Sequence, residues 1–429
     1  MRPTLVFSPL LLASAAWGAP ACSGSSGSFV ATTWYASWHS QYLAVSDISW
    51  SKYTSVSYSF GLTTPDAGVI ALGDSDQLLL PQFVAAAHNS SVKAILTIGG
   101  WTGSKYFSTA VASPENRTAF ANAVMGLVNQ YGLDGVDFDW EYPNKQGLGC
   151  NVIAPQDTPN FLSFLQELRG RGDAQNLTLT AASSIVPFAG SDGSPSADVS
   201  GFASVLDYIT IMDYDVWGSW SGAVGPNAPL DDTCAPAEYQ QGSAVSAVKA
   251  WTAAGMPANK LVLGVASYGH SYLVDTNDAY SDPASMTLAS FPPFDKSQQP
   301  MGDSWDEDEP AGIDDCGNPS SGGPSGVYNF RGLVSEGLLS DNGTASSDVP
   351  YLFDSCSQTP FLYIPDSQTM ISYDDPTSFA AKGNFIANQG LAGFAMWEAA
   401  GDYDDVLLDA ISNAVGNAKG CPSVLSVIL

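Results

Sequence analysis

Residues 133–142 read LDGVDFDWEY, which sets Asp137, Asp139 and Glu141 at a spacing of two inside an otherwise apolar run. A β-strand has a side-chain period of two, so the three acids project from one face while Val136, Phe138 and Trp140 project from the other. Like charges this close in a partly buried setting raise one another's pKa, and burial itself disfavours ionisation, so the arrangement points to use rather than to surface decoration. A calcium site or a solvated acidic edge strand would be the bland alternatives. The EF-hand spacing with its glycine and distant glutamate is absent, and the opposite face is too apolar for an exposed edge.

Working outward, short β-rich runs recur at 30–36, 55–60, 92–98, 135–140, 177–183, 208–212, 261–266 and 393–397, with helical stretches between most of them. The helix ahead of the acidic strand is legible in detail. Ser113 stands at its N-cap, Pro114 at N1 and Glu115 in its first turn, while Phe120, Val124, Leu127 and Val128 share a face and Gly132 stops it. Eight strands alternating with helices predict an α/β fold, a closed (β/α)8 TIM barrel. Over a hundred residues separate the seventh run from the eighth, too many for a structureless loop in a compact domain. Residues 271–372 are therefore expected to form a small α+β insertion, with its helix at 327–339 and strands within 361–372. A return helix is expected at 375–388. The barrel itself is assigned to 21–270 and 373–429.

Composition narrows the partners. The chain has 14 Lys plus Arg against 43 Asp plus Glu, a formal net charge of −29 over 429 residues and a pI near 4.1. That field repels nucleic acid and anionic membrane surfaces, and suits a neutral polymer as ligand. The first 20 residues, MRPTLVFSPLLLASAAWGAP, have the one basic residue, apolar core and small-residue end of a secretory signal peptide. No other segment reaches the length of a membrane span, so a soluble, secreted, monomeric protein is expected. In an oxidising compartment the six cysteines, Cys22, Cys150, Cys234, Cys316, Cys356 and Cys421, favour disulfides. Their pairing is not determined by sequence, and Cys316 with Cys356 is preferred because both lie in the insertion. Sequons begin at Asn89, Asn116, Asn176 and Asn342.

In a barrel of this type the active site lies at the C-terminal ends of the strands. Glu141 falls there on the fourth strand, with Asp139 and Asp137 progressively deeper. The sixth strand ends IMDYDVW, offering Met212, Tyr214 and Asp215; the third ends TIGGW, where Gly99 and Gly100 precede Trp101; the eighth brings Trp397 to the mouth. Singly, Met212 reads as core and a lone Trp as packing. Four coincident strand ends weaken that reading. DGVDFDWE resembles the DGxDxDxE signature of the family 18 glycoside hydrolases, the chitinases. TIGGW, MDYD, GVASYGHSY from Gly264 and GFAMW resemble further motifs of that family, with Thr97 where its usual residue is Ser. The likeness runs from about residue 30 to 415 and includes the α+β insertion.

The resemblance implies a division of labour. This family departs from the usual pair of carboxylates about 5 Å apart, because the substrate assists. The 2-acetamido oxygen of N-acetylglucosamine attacks C1 and forms an oxazolinium ion, with retention at C1. Glu141 is then the general acid and later the general base, kept protonated by its proximity to Asp139. Asp139 holds the acetamido N–H, Asp137 shares a proton with Asp139, Tyr214 donates to the acetamide oxygen, and Asp215 bonds the distorted sugar. Trp397 floors the sugar site and Trp101 stacks nearer the leaving group. Met212, Gly100, Tyr142, Tyr35, Phe60 and Tyr268 complete the expected substrate contacts. The three histidines, His39, His88 and His270, show no metal-ligand spacing, and no phosphate-binding or dinucleotide motif follows a strand. No cofactor and no metal are expected. His270 stands where the family often has Arg, at the mouth or as a structural residue. The expected substrate is chitin and its chito-oligosaccharides. The alternatives are an endo-β-N-acetylglucosaminidase acting on N-glycans and a non-catalytic chitin-binding lectin, which would typically lack Glu141.

Overall fold

The computed structural model describes residues 29–418 apart from 283 and 285. The proposed leader, Cys22 and Cys421 lie outside the described residues. Eight parallel strands form the barrel: β1 (Val30–Ala36), β2 (Ser55–Thr63), β3 (Lys93–Gly99), β4 (Gly135–Asp139), β5 (Thr178–Ser183), β6 (Tyr208–Ile211), β7 (Leu261–Ala266) and β8 (Gly393–Trp397). Their order is that of the sequence, and β1 pairs with both β2 and β8, closing the ring. All eight runs read from the sequence are barrel strands.

The acidic strand behaves as its period requires. Phe138 and Trp140 turn outward into an aromatic layer, where Phe138 meets Phe164 at 5.3 Å, Phe120 meets Phe164 at 4.8 Å and Trp140 stacks on Phe107 at 5.2 Å. Each fully buried ring of this kind contributes about 1.5–3 kcal/mol. The helix Pro114–Tyr131 supplies Phe120 and Val124 to that layer. Ser113 caps it by accepting from the Asn116 N–H at 3.2 Å, and Gly132 ends it at φ 71°, a left-handed turn that favours glycine.

Between β7 and β8 the chain builds a five-stranded antiparallel sheet in the order Val327–Asn329, Tyr268–Leu273, Thr369–Ser372, Thr359–Ile364, Tyr351–Asp354. The helix read at 327–339 is shorter, Phe330–Ser335, because residues 327–329 pair as a strand with 268–270. Pairing of backbone groups with Tyr268–His270 outweighs the local helical pattern. The return helix is Pro376–Gln389, with Asp375 at its N-cap accepting from the Thr377 and Ser378 N–H groups at 2.8 and 2.9 Å.

The preferred disulfide is wrong. Cys316 bonds Cys150 and Cys356 bonds Cys234, with Cα separations of 5.6 and 5.7 Å. Cys150 follows β4 and Cys234 follows β6, so each bond staples the insertion to a barrel loop. Nearness along the chain had no bearing, since bridging requires Cα atoms within about 7 Å. Among the described residues no helix is long and apolar enough to cross a membrane.

Candidate active site

Asp137, Asp139 and Glu141 ascend from the barrel interior to its mouth, and each meets a different environment. Asp137 is buried and accepts three hydrogen bonds: from Thr180 Oγ1 at 2.6 Å, Thr97 Oγ1 at 3.1 Å and Trp34 Nε1 at 3.3 Å. Burial raises its pKa while those donors oppose the rise. Asp139 is buried with its Oδ1 lacking any hydrogen-bond partner. Burial holds its carboxyl well above the usual range, and the neighbouring Glu141 and Asp137 add to the shift. Glu141 is pushed up to about 7, chiefly by burial, with the Asp215 charge adding and a hydrogen bond from Tyr142 opposing. Desolvation thus leads, where the sequence reading put the weight on Asp139.

Ser104 and Asn151 set the backbone at this point. The Ser104 hydroxyl donates to the Asp139 carbonyl at 3.0 Å and accepts from the Glu141 N–H at 2.9 Å. Asn151 Nδ2 donates to the Glu141 carbonyl at 2.7 Å. Neither residue stood out in the sequence, because both act through main-chain atoms from separate loops. Gly99, at φ 114°, lets β3 lie against β4: a Cβ there would fall 2.0 Å from the Asp139 carbonyl oxygen.

At the end of β6, Tyr214 is raised well above the ordinary tyrosine range, first by burial and then by Asp139, Asp215 and Glu141. Asp215 adopts φ 54°, held by its N–H donating to Asn227 Oδ1 at 2.9 Å. Its Oδ1 accepts from the Tyr268 hydroxyl at 2.8 Å and meets His270 Nε2 at 2.7 Å. His270 therefore stands at the mouth, in contact with a carboxylate of the site.

These groups face a cleft of about 630 Å³. Asp139, Glu141, Tyr142, Met212, Tyr214, Asp215, Phe60, Trp101 and Trp397 all line it, and no Lys or Arg does. Asp137 lies beneath it. Phe60 stacks on Trp397 at 5.7 Å, and Trp38 stacks on Phe60 at 5.9 Å, giving a continuous aromatic floor. Trp101 and Trp38 are half-exposed. Three expected contacts do not line it. Tyr35 is buried behind the barrel wall, bonded to the Leu43 carbonyl at 3.0 Å and stacked on Phe83 at 5.8 Å. Gly100 is covered by Phe60, whose ring would lie 2.7 Å from a Cβ there. Tyr268 lines an adjoining chamber of about 350 Å³ rather than the cleft itself. Trp34 and Trp38 were missed; both belong to the run WYASWH, of which only Tyr35 was expected to contact substrate. Among the described residues no group of three or more His, Cys, Asp or Glu is placed to hold a metal ion.

Residues 31–402 match the model of the glycosyl hydrolases family 18. A chitinase-like effector of Moniliophthora roreri is 50% identical over 97% of this chain and 98% of its own length. Chitinase A1 of Niallia circulans is 29% identical over 78% of this chain and 44% of its own. A chitinase of Rhizomucor miehei superposes with a TM-score of 0.79 and 32% identity, covering 90% of this chain and 99% of that one. With the family match spanning barrel, insertion and acidic strand alike, this chain belongs to the glycosyl hydrolases family 18.

Proposed function

We propose that the protein is a secreted chitinase that hydrolyses β-1,4 bonds between N-acetylglucosamine units with retention, using the substrate's acetamido group as nucleophile. One observation carries the reading: a carboxyl held protonated near neutrality, Glu141, stands over a buried Asp139 whose Oδ1 has no partner within the protein. Glu141 gives its proton to the glycosidic oxygen as the C1–O bond breaks. The acetamido oxygen closes on C1 to give the oxazolinium ion, and the free Asp139 oxygen accepts the acetamido N–H, a hydrogen bond that strengthens as that nitrogen gains positive character. The Tyr214 hydroxyl orients the attacking oxygen, and the Phe60, Trp397 and Trp38 rings carry the sugar faces. Water then attacks C1, breaking its bond to the acetamido oxygen and restoring the acetamide, while Glu141 takes the water's proton.

A chitin-binding protein without turnover is the second reading, favoured by the 50%-identical relative's description as chitinase-like rather than as a chitinase. Wild type and Glu141→Gln compared on colloidal chitin and on a high-mannose glycoprotein separate the readings. Chitobiose release by wild type that the substitution abolishes supports the chitinase. Equal activity in both proteins removes Glu141 from its role, release from the glycoprotein alone changes the substrate, and binding without release establishes the second reading.

A further inference from the structure

Residues 303–327 leave the insertion sheet as a two-stranded arm. At its base the Asp303 N–H donates to the Val327 carbonyl at 3.1 Å. Asp306 there accepts from the N–H groups of Gly302, Ser325 and Gly326 at 2.7, 3.0 and 2.8 Å. Pairing continues outward through Glu309 with Gly323, Gly312 with Ser320 and Ile313 with Pro319. The tip turns where the Asp314 N–H donates to the Asn318 carbonyl at 2.9 Å. A strand of about ten residues reaches about 30 Å, enough to pass over the mouth of a barrel.

The two ends of the arm hold different parts of that mouth. Near the base, Trp305 stacks on Tyr42 of the loop after β1, with centroids 4.1 Å apart and planes 11° apart. At the tip, Cys316 is bonded to Cys150 of the loop after β4. Thr102 Oγ1 and Lys105 Nζ, from the loop after β3, donate to the Asp315 carboxylate and carbonyl, the first at 3.0 Å. In the closed ring β3 and β4 stand opposite β7 and β8, between which the arm arises. It therefore reaches from the β7–β8 side of the mouth to the loops after β3 and β4, its base lining a cavity with Trp38 and its tip held by Thr102, the residue after Trp101. Space continues under its base. The 350 Å³ chamber shares Trp38, Asp215 and Trp397 with the cleft, and an outer cavity of about 410 Å³ shares Trp38, His39, Trp305 and Asp306 with the chamber.

We propose that the arm, latched by the Cys150–Cys316 bond, straps the sugar-binding groove, so that a long chitin chain enters by threading a free end beneath it and is then held against release. This rests on the reading of the groove as a chitin site. An internal stretch of polymer cannot drop into a groove whose strap is covalently closed, whereas a short oligosaccharide slides in and out along the path past Trp38. The strap makes chain length, rather than sugar chemistry, the property it selects.

The test uses the non-hydrolysing Glu141→Gln protein and two probes, soluble glycol chitin and chitotetraose. Release rates are compared for the latched protein, for Cys150→Ser/Cys316→Ser, and for a variant in which a short Gly-Ser linker replaces residues 308–324; the truncation serves should the cysteine variant not fold. Both unlatched forms are expected to release glycol chitin at least about tenfold faster, the difference appearing in the off-rate, with chitotetraose release unchanged. Equal polymer release with and without the latch overturns the proposal, as does equal acceleration for both probes. A latched protein that binds neither probe overturns the chitin reading, and the strap with it.

Discussion

The two carboxyl groups of β4 and that of Glu141, just past its end, differ in what reaches them. Asp137 has three donors and acts as a fixed acceptor; Asp139 has one oxygen unmatched; Glu141 is dry enough to stay protonated near neutrality. An acid that must carry its proton to act predicts that kcat/KM falls as pH rises through about 7. A pH-rate profile on a chito-oligosaccharide checks this, and a maximum well above neutral contradicts it. Tyr35 offers the contrasting case. Tyr35→Phe removes its bond to the Leu43 carbonyl and should cost about 1 kcal/mol in urea denaturation, with KM unchanged. A raised KM would return Tyr35 to the site. The two residues also mark what was readable. In LDGVDFDWEY polar and apolar residues alternate, so the inward face declares itself. In VATTWYA nearly every residue is buried on both faces, and nothing in the sequence says that Trp34 rather than Tyr35 turns inward.

At the scale of elements, local signals succeeded where caps and periods agree and failed where pairing with a distant strand decides. The helix Pro114–Tyr131 has its stop and start written in Ser113, Pro114 and Gly132. Residues 327–329 carry no such mark and become a strand because Tyr268–His270 offers an open edge. The return helix Pro376–Gln389 joins both situations. Asp375 caps it, and accepts from the Tyr351 hydroxyl of the insertion sheet at 3.2 Å. The helix also buries Lys382 against Asp374 at 2.6 Å. Asp375→Ala should lower stability by about 1–2 kcal/mol in a urea titration, and Asp375→Asn, which keeps an acceptor oxygen, should recover most of the loss. Equal losses for both would show that charge, not capping, is what the helix uses.

Over the whole molecule the acids set the response to pH. Burial leads the upward shift of Asp137, Asp139, Glu141, Asp157, Asp213, Asp375 and Asp402, with Asp402 raised to about 6 and Glu141 to about 7. The acids shifted down, among them Glu115, Asp173, Asp198, Asp295 and Asp314, are exposed. A carboxyl whose folded pKa exceeds its unfolded value binds more protons in the native state, so its contribution is full at low pH and is lost as pH rises through the folded value. Stability should therefore fall between about pH 4 and about pH 7, and the net charge of −29 works in the same direction. Urea midpoints measured at pH 5 and pH 8 should differ, the higher at pH 5; the reverse order would mean that the exposed acids dominate.

The sequence by itself determined the barrel, its strand count, the strand that carries the acids and their order of depth, since a period of two and the helix caps are short-range properties of the chain. Only the tertiary structure decided how the insertion is stapled to the loops after β4 and β6, which face of β1 looks inward, and how Ser104 and Asn151 hold the backbone at Glu141. Each of those depends on residues brought together from distant parts of the chain, and spacing along the chain is silent about distance across it.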